Sequence, residues 1–209
     1  MLEFREDGRT EEQIRRIEIE HGKLNNNGYI MYRQGNSCVR AVCNGPREGN
    51  RILFHVRFSK TARQEPISEK RLYDYEDVLQ KIFSEIILAE NQLDIDIDVI
   101  QEDGSLVSAM VNCIYMCLCY SSVPLLDSIC SVTLSENFVD LSSSEEGGRN
   151  AAVVLVYLIN KKQFLYVRSA GRISKDRLEK LLERGTVATE EIFSTLKTYL
   201  LNISAIKKD

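Results

Sequence analysis

The side chains best suited to chemistry in this chain of 209 residues lie in a few short stretches. Lys60, Arg63, Lys70 and Arg71, with Ser59 beside them, form a basic cluster that spans a loop and the start of a helix. Cations of this kind grip the phosphates of a single strand without reading its sequence. At a helix N-terminus they oppose the macrodipole, so helix stability alone gives no reason for Lys70 and Arg71 to stand there. Glu145-Glu146 is a paired acid in a loop rich in Ser, Glu and Gly. Asp94, Asp96 and Asp98 fall on one face of a strand, where carboxylates more often meet water or a basic neighbour than a metal. Cys113, Cys117 and Cys119 are close together but sit in an apolar helical stretch with no nearby histidine. They read as small buried hydrophobes rather than zinc ligands. His21 and His55 stand alone. The sequence contains no P-loop, dinucleotide glycine fingerprint, zinc-protease motif or nucleophile elbow.

The elements that must position these groups can be read from periodicity. Residues 28–33 and 37–42 predict short strands around a turn at Gln34-Gly35-Asn36, and residues 51–58 a third. Residues 59–69, with Pro66, predict an exposed loop. Leu72, Tyr75, Leu79, Ile82, Phe83 and Ile86 recur at helical spacing, which predicts a helix over residues 70–90. Leu93, Ile95, Ile97 and Val99 alternate with the three aspartates, a strand pattern with its apolar side on the core. Residues 105–126 carry no charge. Asn112, Pro124 and four serines argue against a membrane span there, as do Asp103 and Asp127 at its ends with no flanking Lys or Arg. The stretch predicts instead a helix over residues 105–120, buried on all sides of a soluble core. Strands near residues 128–134 and 137–141 follow, then a loop over 141–150. Residues 151–159 pair with 163–168 across Asn160-Lys161-Lys162. Ser174 is placed to cap a last helix, whose buried stripe is Leu178, Leu181, Leu182, Ala188, Ile192 and Leu196. This order predicts an α/β layered domain, its sheet covered by helices.

The net charge of −4 is small but unevenly spread: residues 23–71 carry +7 and residues 72–146 carry −14. A protein that coats nucleic acid through bulk charge is excluded, while faces of opposite sign are expected. Residues 1–20 carry charges throughout and no apolar run, so no signal peptide is expected. An intracellular, reducing compartment follows, in which the six cysteines stay free of disulfides.

Spaced motifs add a family. Arg5-Glu6-Asp7-Gly8-Arg9, Gln34-Gly35-Asn36, Gly45-Pro46-Arg47-Glu48, Gln101-Glu102-Asp103-Gly104 and Asp140-Leu141 with Glu145-Glu146 occur in the order seen in the RNase PH family. Phe58-Ser59-Lys60 and Glu69-Lys70-Arg71 resemble its exosome ring subunits. The resemblance covers nearly the whole chain. It implies one RNase PH-like α/β domain over residues 1–209, built of two β-α halves, about 1–92 and 93–209, with mixed sheets covered by helices. It also implies a six-membered ring with other RNase PH-like subunits, cap proteins carrying RNA-binding modules, and an associated hydrolytic exoribonuclease. Single-stranded RNA in the channel would meet Ser59, Lys60, Arg63, Lys70 and Arg71, and the expected locations are nucleus, nucleolus and cytoplasm.

Active relatives cleave an RNA 3′ end with inorganic phosphate. Their central helix opens Asp-Gly-Gly-Ser/Thr-Arg, and the arginine grips phosphate. Here Asp103-Gly104-Ser105-Leu106 leads to Val107, which neither pairs with an anion nor donates a hydrogen bond. Their second acidic motif, Gly-Glu-Ala-Asp, supplies a metal ligand or general acid. Here Glu146 remains, but Gly147-Gly148-Arg149-Asn150 brings no second acid, and Arg149 would repel a metal. The resemblance therefore implies a subunit without catalysis and without a cofactor. The alternative is an active phosphate-dependent 3′–5′ exoribonuclease whose missing groups come from elsewhere.

Overall fold

A computed structural model describes residues 5–24, 27–62, 67–146 and 151–206, the side chains of residues 204–206 excepted. Five strands form one sheet: β1 Ile17–Leu24, β2 Asn27–Gln34, β3 Ser37–Arg47, β4 Ile52–Phe58 and β5 Gln92–Gln101. Their order is β1-β2-β3-β5-β4, antiparallel except for the parallel pair β4–β5. A smaller antiparallel sheet holds β6 Ile129–Leu134, β7 Ala152–Leu158 and β8 Gln163–Ala170. Four helices complete the described elements: α1 Glu69–Phe83, α2 Leu106–Tyr120, the single turn α3 Ser143–Glu146, and α4 Lys175–Ile206. The α/β layering expected from the sequence is present. Strand β5, which the sequence reading assigns to the second half, is hydrogen-bonded between β3 and β4 of the larger sheet.

The uncharged stretch does become the central helix. Residues 106–118 of α2 are buried except Val107, which is partly covered. Burial of such a helix requires its few polar groups to find partners. Asn112 donates through Nδ2 to the Ser131 carbonyl at 3.0 Å, and its Oδ1 accepts from the Ser131 N–H at 2.8 Å. That two-way bond fixes the register of α2 on β6. Cys113 and Cys117 lie against the carbonyls of β2 and β3, fully buried as expected, while Cys119 is only half covered. Burial pushes the Cys117 thiol up to about 12, so at neutral pH it is an inert hydrophobe. Among the described residues no helix is long and apolar enough to cross a membrane.

Several boundaries differ from the sequence reading. Strand β1 was not foreseen, although Ile17 and Ile19 alternate with Glu18 and Glu20. Helix α1 ends at Phe83 rather than near residue 90, with Ser84 as its C-cap. Beyond it the chain leaves the helix: Ile86 and Ile87 are both buried, and Ile87 forms a bridge to Leu125. The strand expected at residues 137–141 reduces to a single bridge, Leu134 to Val139. Asp140 follows with a left-handed backbone (φ 54°), which ends any ladder there. The loop at 141–150 contains α3, and its last four residues lie outside the described ones. Helix α4 begins directly after Ser174, whose carbonyl accepts from the Leu178 N–H at 3.0 Å. Leu181, Ala188, Ile192 and Leu196 are buried as its stripe predicts; Leu178 and Leu182 are half-buried.

The aspartates of β5 meet basic neighbours, as expected. Arg40 pairs with Asp98 at 2.8 Å, Arg47 with Asp94 at 2.7 Å, and Arg57 with Asp96 and Asp98 at 3.2 and 3.1 Å.

Candidate functional site

The motifs spread along the sequence converge on the loop that enters α2. The turn at Arg5-Glu6-Asp7-Gly8-Arg9 closes on itself through Arg5 N–H to Arg9 carbonyl (3.0 Å), with Gly8 at φ 81°. It points two arginines at the segment 139–145. Arg5 donates to the Val139 and Asp140 carbonyls at 2.7 and 2.8 Å and to both oxygens of Glu145. Arg9 donates to Asp7 at 2.6 Å and to the Asp140 carbonyl at 3.1 Å. Both arginines serve structure, and the acids that pair them belong to this same chain.

Sequence reasoning missed the third arginine. Arg15 donates from its backbone N–H and Nε to Asp140 Oδ2 (2.7 and 3.0 Å) and from Nη2 to Asp140 Oδ1 (2.7 Å). Both residues are almost wholly buried, Arg15 at 5% exposure and Asp140 at 1%. A further bond from Arg15 Nη1 reaches the Asp103 carbonyl at 2.5 Å. Gly104, with φ 73°, brings the backbone so close to Leu141 and Ser142 that a Cβ would collide with both. Ser105 Oγ donates to the Leu141 carbonyl at 2.8 Å. Thus the entry to α2 and the turn α3 are one hydrogen-bonded unit. Gly45-Pro46-Arg47-Glu48 lies apart from it, at the far end of β3.

On the other side of α3 opens a cleft of 490 Å³. Its first wall is the opening of α1: Ser68, Lys70, Arg71 and Tyr75. Ser68 caps this helix, its hydroxyl accepting from the Arg71 N–H at 3.4 Å. The floor is the small sheet. Thr133, Val154 and Arg168 lie directly opposite one another on β6, β7 and β8, so all three point to the same face. The inner end holds Val107 of α2 and Glu146 of α3. The structure therefore brings together Lys70, Arg71, Val107 and Glu146 from the residues singled out in the sequence. Ser59 and Lys60 sit on the turn after β4 and do not line the cleft. Phe58 beside them stacks on Tyr75 of α1 with centroids 6.0 Å apart. Arg63, Arg149 and Asn150 lie outside the described residues. Arg168 was missed; its signal in the sequence is a lone cation in an otherwise uncharged strand.

Electrostatics in the cleft depart from local sequence expectations. Arg71 has an acid partner supplied by a distant loop, Glu102 at 4.0 Å. Glu146 Oε1 accepts from the Ser105 N–H at 2.6 Å, at the N-terminal end of α2. Although Glu146 as a residue is solvent-exposed, partial desolvation of its carboxyl by the surrounding cleft raises it above its ordinary range, with the neighbouring Glu102 charge adding to it. Its neighbour in sequence is the reverse: burial is outweighed at Glu145 by the Arg5 bonds, which hold it below the usual range. The lining side chains are three cations against Asp74 and Glu146, with Glu102 behind Arg71, so the surroundings become net positive once Glu146 is neutral. On the expectation from the sequence that these cations hold a single strand, binding of a fluorescent single-stranded oligonucleotide should tighten as pH falls through the raised titration of Glu146. Glu146→Gln should hold the tighter affinity at every pH. A parent protein whose affinity ignores pH over that range would show that Glu146 does not titrate there.

A fold of two sheets around a buried central helix, with a cationic cleft at that helix's start, defines a class. Residues 13–124 match the family described as 3′ exoribonuclease family, domain 1, RNase PH, and the chain belongs to that family. It is 27% identical to the putative exosome complex component RRP41 of Caenorhabditis briggsae, across 92% of this chain and 90% of that one. Identity to the human exosome complex component RRP41 is 26%, with 92% and 89% covered. To the Rrp41 exosome component of the archaeon Pyrobaculum aerophilum it is 24%, with 95% and 90% covered. The crystal structure of rice (Oryza sativa) Rrp46 superposes with a TM-score of 0.81 at 22% identity, covering 94% of this chain and all of that one. That likeness is one of fold.

Proposed function

We propose that this chain is a non-catalytic, RNA-holding subunit of an exosome-type ring. It sits beside other RNase PH-like subunits in a six-membered assembly, with RNA-binding cap proteins and an attached hydrolytic exoribonuclease, in nucleus, nucleolus and cytoplasm. Family membership and relatives named as exosome components support the assembly. One observation carries the absence of catalysis. At the start of α2, where phosphate would have to be gripped, stands the aliphatic Val107, and the adjacent backbone N–H of Ser105 is already taken by the Glu146 carboxylate. An ionised carboxylate there repels orthophosphate, and α2 carries no cation of its own to offset it. Lys60, Lys70 and Arg71 supply the grip on single-stranded RNA.

The test is phosphorolysis. The chain, alone and with its ring partners, is incubated with single-stranded RNA, magnesium and phosphate. No nucleoside diphosphate above a no-protein control is expected from its cleft; release of diphosphates that Glu146→Gln abolishes would overturn the reading. That outcome belongs to the second reading, a phosphate-dependent exoribonuclease. One observation favours it: a carboxyl of raised pKa in a cleft with three cations suits a general acid.

A further inference from the structure

We infer that Arg168 of β8 is a phosphate-gripping residue, so that the cleft clasps an RNA phosphodiester between two walls. The inference rests on the reading of the chain as RNA-holding, and adds a contact on the side opposite the basic helix start. Three observations lead to it. First, placement: the cross-strand row Thr133, Val154, Arg168 puts this side chain on the cleft floor, across from Lys70 and Arg71 on α1. Second, freedom: Arg168 is solvent-exposed, and among the described residues neither it nor Lys70 has an acid within ion-pair distance. Among the described residues ten other arginines have an acid partner, six of them around Asp140 or along the β5 aspartates. A guanidinium held on a strand, facing other cations with no acid of its own, costs electrostatic energy that a bound anion relieves. Third, surroundings: the neighbouring floor positions are Ala152, Val154 and Ala170, small or aliphatic side chains. They leave room for a sugar and base beside the charged group.

The chemistry that fits is a phosphodiester with an apolar flank. A planar guanidinium can take two non-bridging oxygens at once, while the Lys70 ammonium acts as a point charge. Arg168 thus places a cation on a strand of the small sheet, whereas the central helix offers Val107. A phosphate drawn to the floor is held away from the start of that helix, which suits retention of a strand rather than its cleavage.

The test uses the full chain, a fluorescent single-stranded RNA, and three variants: Arg168→Gln, Arg168→Lys, and Lys70→Ala with Arg71→Ala. One phosphate contact on a single strand contributes a slope of about 0.7 in log affinity against log salt, hence about fivefold in affinity near 0.1 M salt. Arg168→Gln is expected to bind about fivefold more weakly with the slope reduced by about 0.7, and Arg168→Lys to recover the slope. Parent-like affinity and slope in Arg168→Gln, while the α1 variant weakens, would overturn the role of Arg168 and leave the RNA reading intact. Parent-like binding in every variant would overturn both. A separate arm titrates orthophosphate. If orthophosphate binds the parent but not Arg168→Gln and leaves bound RNA undisturbed, the floor takes free phosphate, and the phosphodiester assignment is overturned.

Discussion

Replacing Lys70 and Arg71 together with alanine is expected to weaken single-stranded RNA binding about 25-fold near 0.1 M salt, from two lost phosphate contacts of about fivefold each. The slope against log salt should fall by about 1.4. Both side chains stand in the first turn of α1, where they work against the helix dipole, and Lys70 has no acid partner among the described residues. Removing them should therefore leave the fold intact or slightly firmer, which circular dichroism and thermal melting would confirm. Arg71 is the more expensive of the two to lose structurally, because it faces Glu102 at 4.0 Å and lies over the Tyr75 ring at 5.9 Å. Such half-exposed contacts contribute at most about 1 kcal/mol. Affinity that survives the double change, with an unaltered salt slope, would remove α1 from the RNA path.

The largest effect on stability is expected at Asp140. Its carboxylate takes three bonds from Arg15, and Arg9 lies 3.6 Å away. Asp140→Ala leaves at least one arginine buried without its anion. Stranding a buried charge costs about 3–5 kcal/mol, which for a domain of this size lowers the melting temperature by roughly 10 °C. Arg15→Ala should cost somewhat less, because the Asp140 carboxylate keeps the Arg15 backbone N–H. The double variant should fall well short of the sum of the two, as partners in direct contact do. A loss below about 1 kcal/mol for Asp140→Ala would mean that the arginines re-pair with Asp7, Asp103 or Glu145. Because the entry to α2 and the turn α3 hang on this group, RNA affinity should fall with stability here. In the α1 variant it falls alone.

What could be read from the sequence was whatever repeats over short distances. The alternation of β5 and the uncharged run of α2 each impose one burial pattern, and both elements lie where expected. The end of α1 could not be read, because Ile86 continues the helical spacing by coincidence while Ile87 beside it is drawn to Leu125. Asp140 looked like the end of a strand; its meaning depends on an arginine 125 positions earlier in the chain, which no local pattern signals. The cleft was half legible. Lys70, Arg71, Val107 and Glu146 carry motif spacing and were found, whereas Arg168 is a lone cation whose importance comes only from the register of β8 on β7.

One turn of helix separates two opposite environments. At Glu145 the carboxylate is clamped from behind by Arg5, which favours its charged form; at Glu146, the next residue, it lines the cleft and gains a proton more readily. The rear residue is fixed to the turn at residues 5–9, and the forward one to the start of α2 through the Ser105 N–H. The shape of the cleft's inner end is thus inherited from residues 5–15, a segment with no regular structure that does not itself line the cleft.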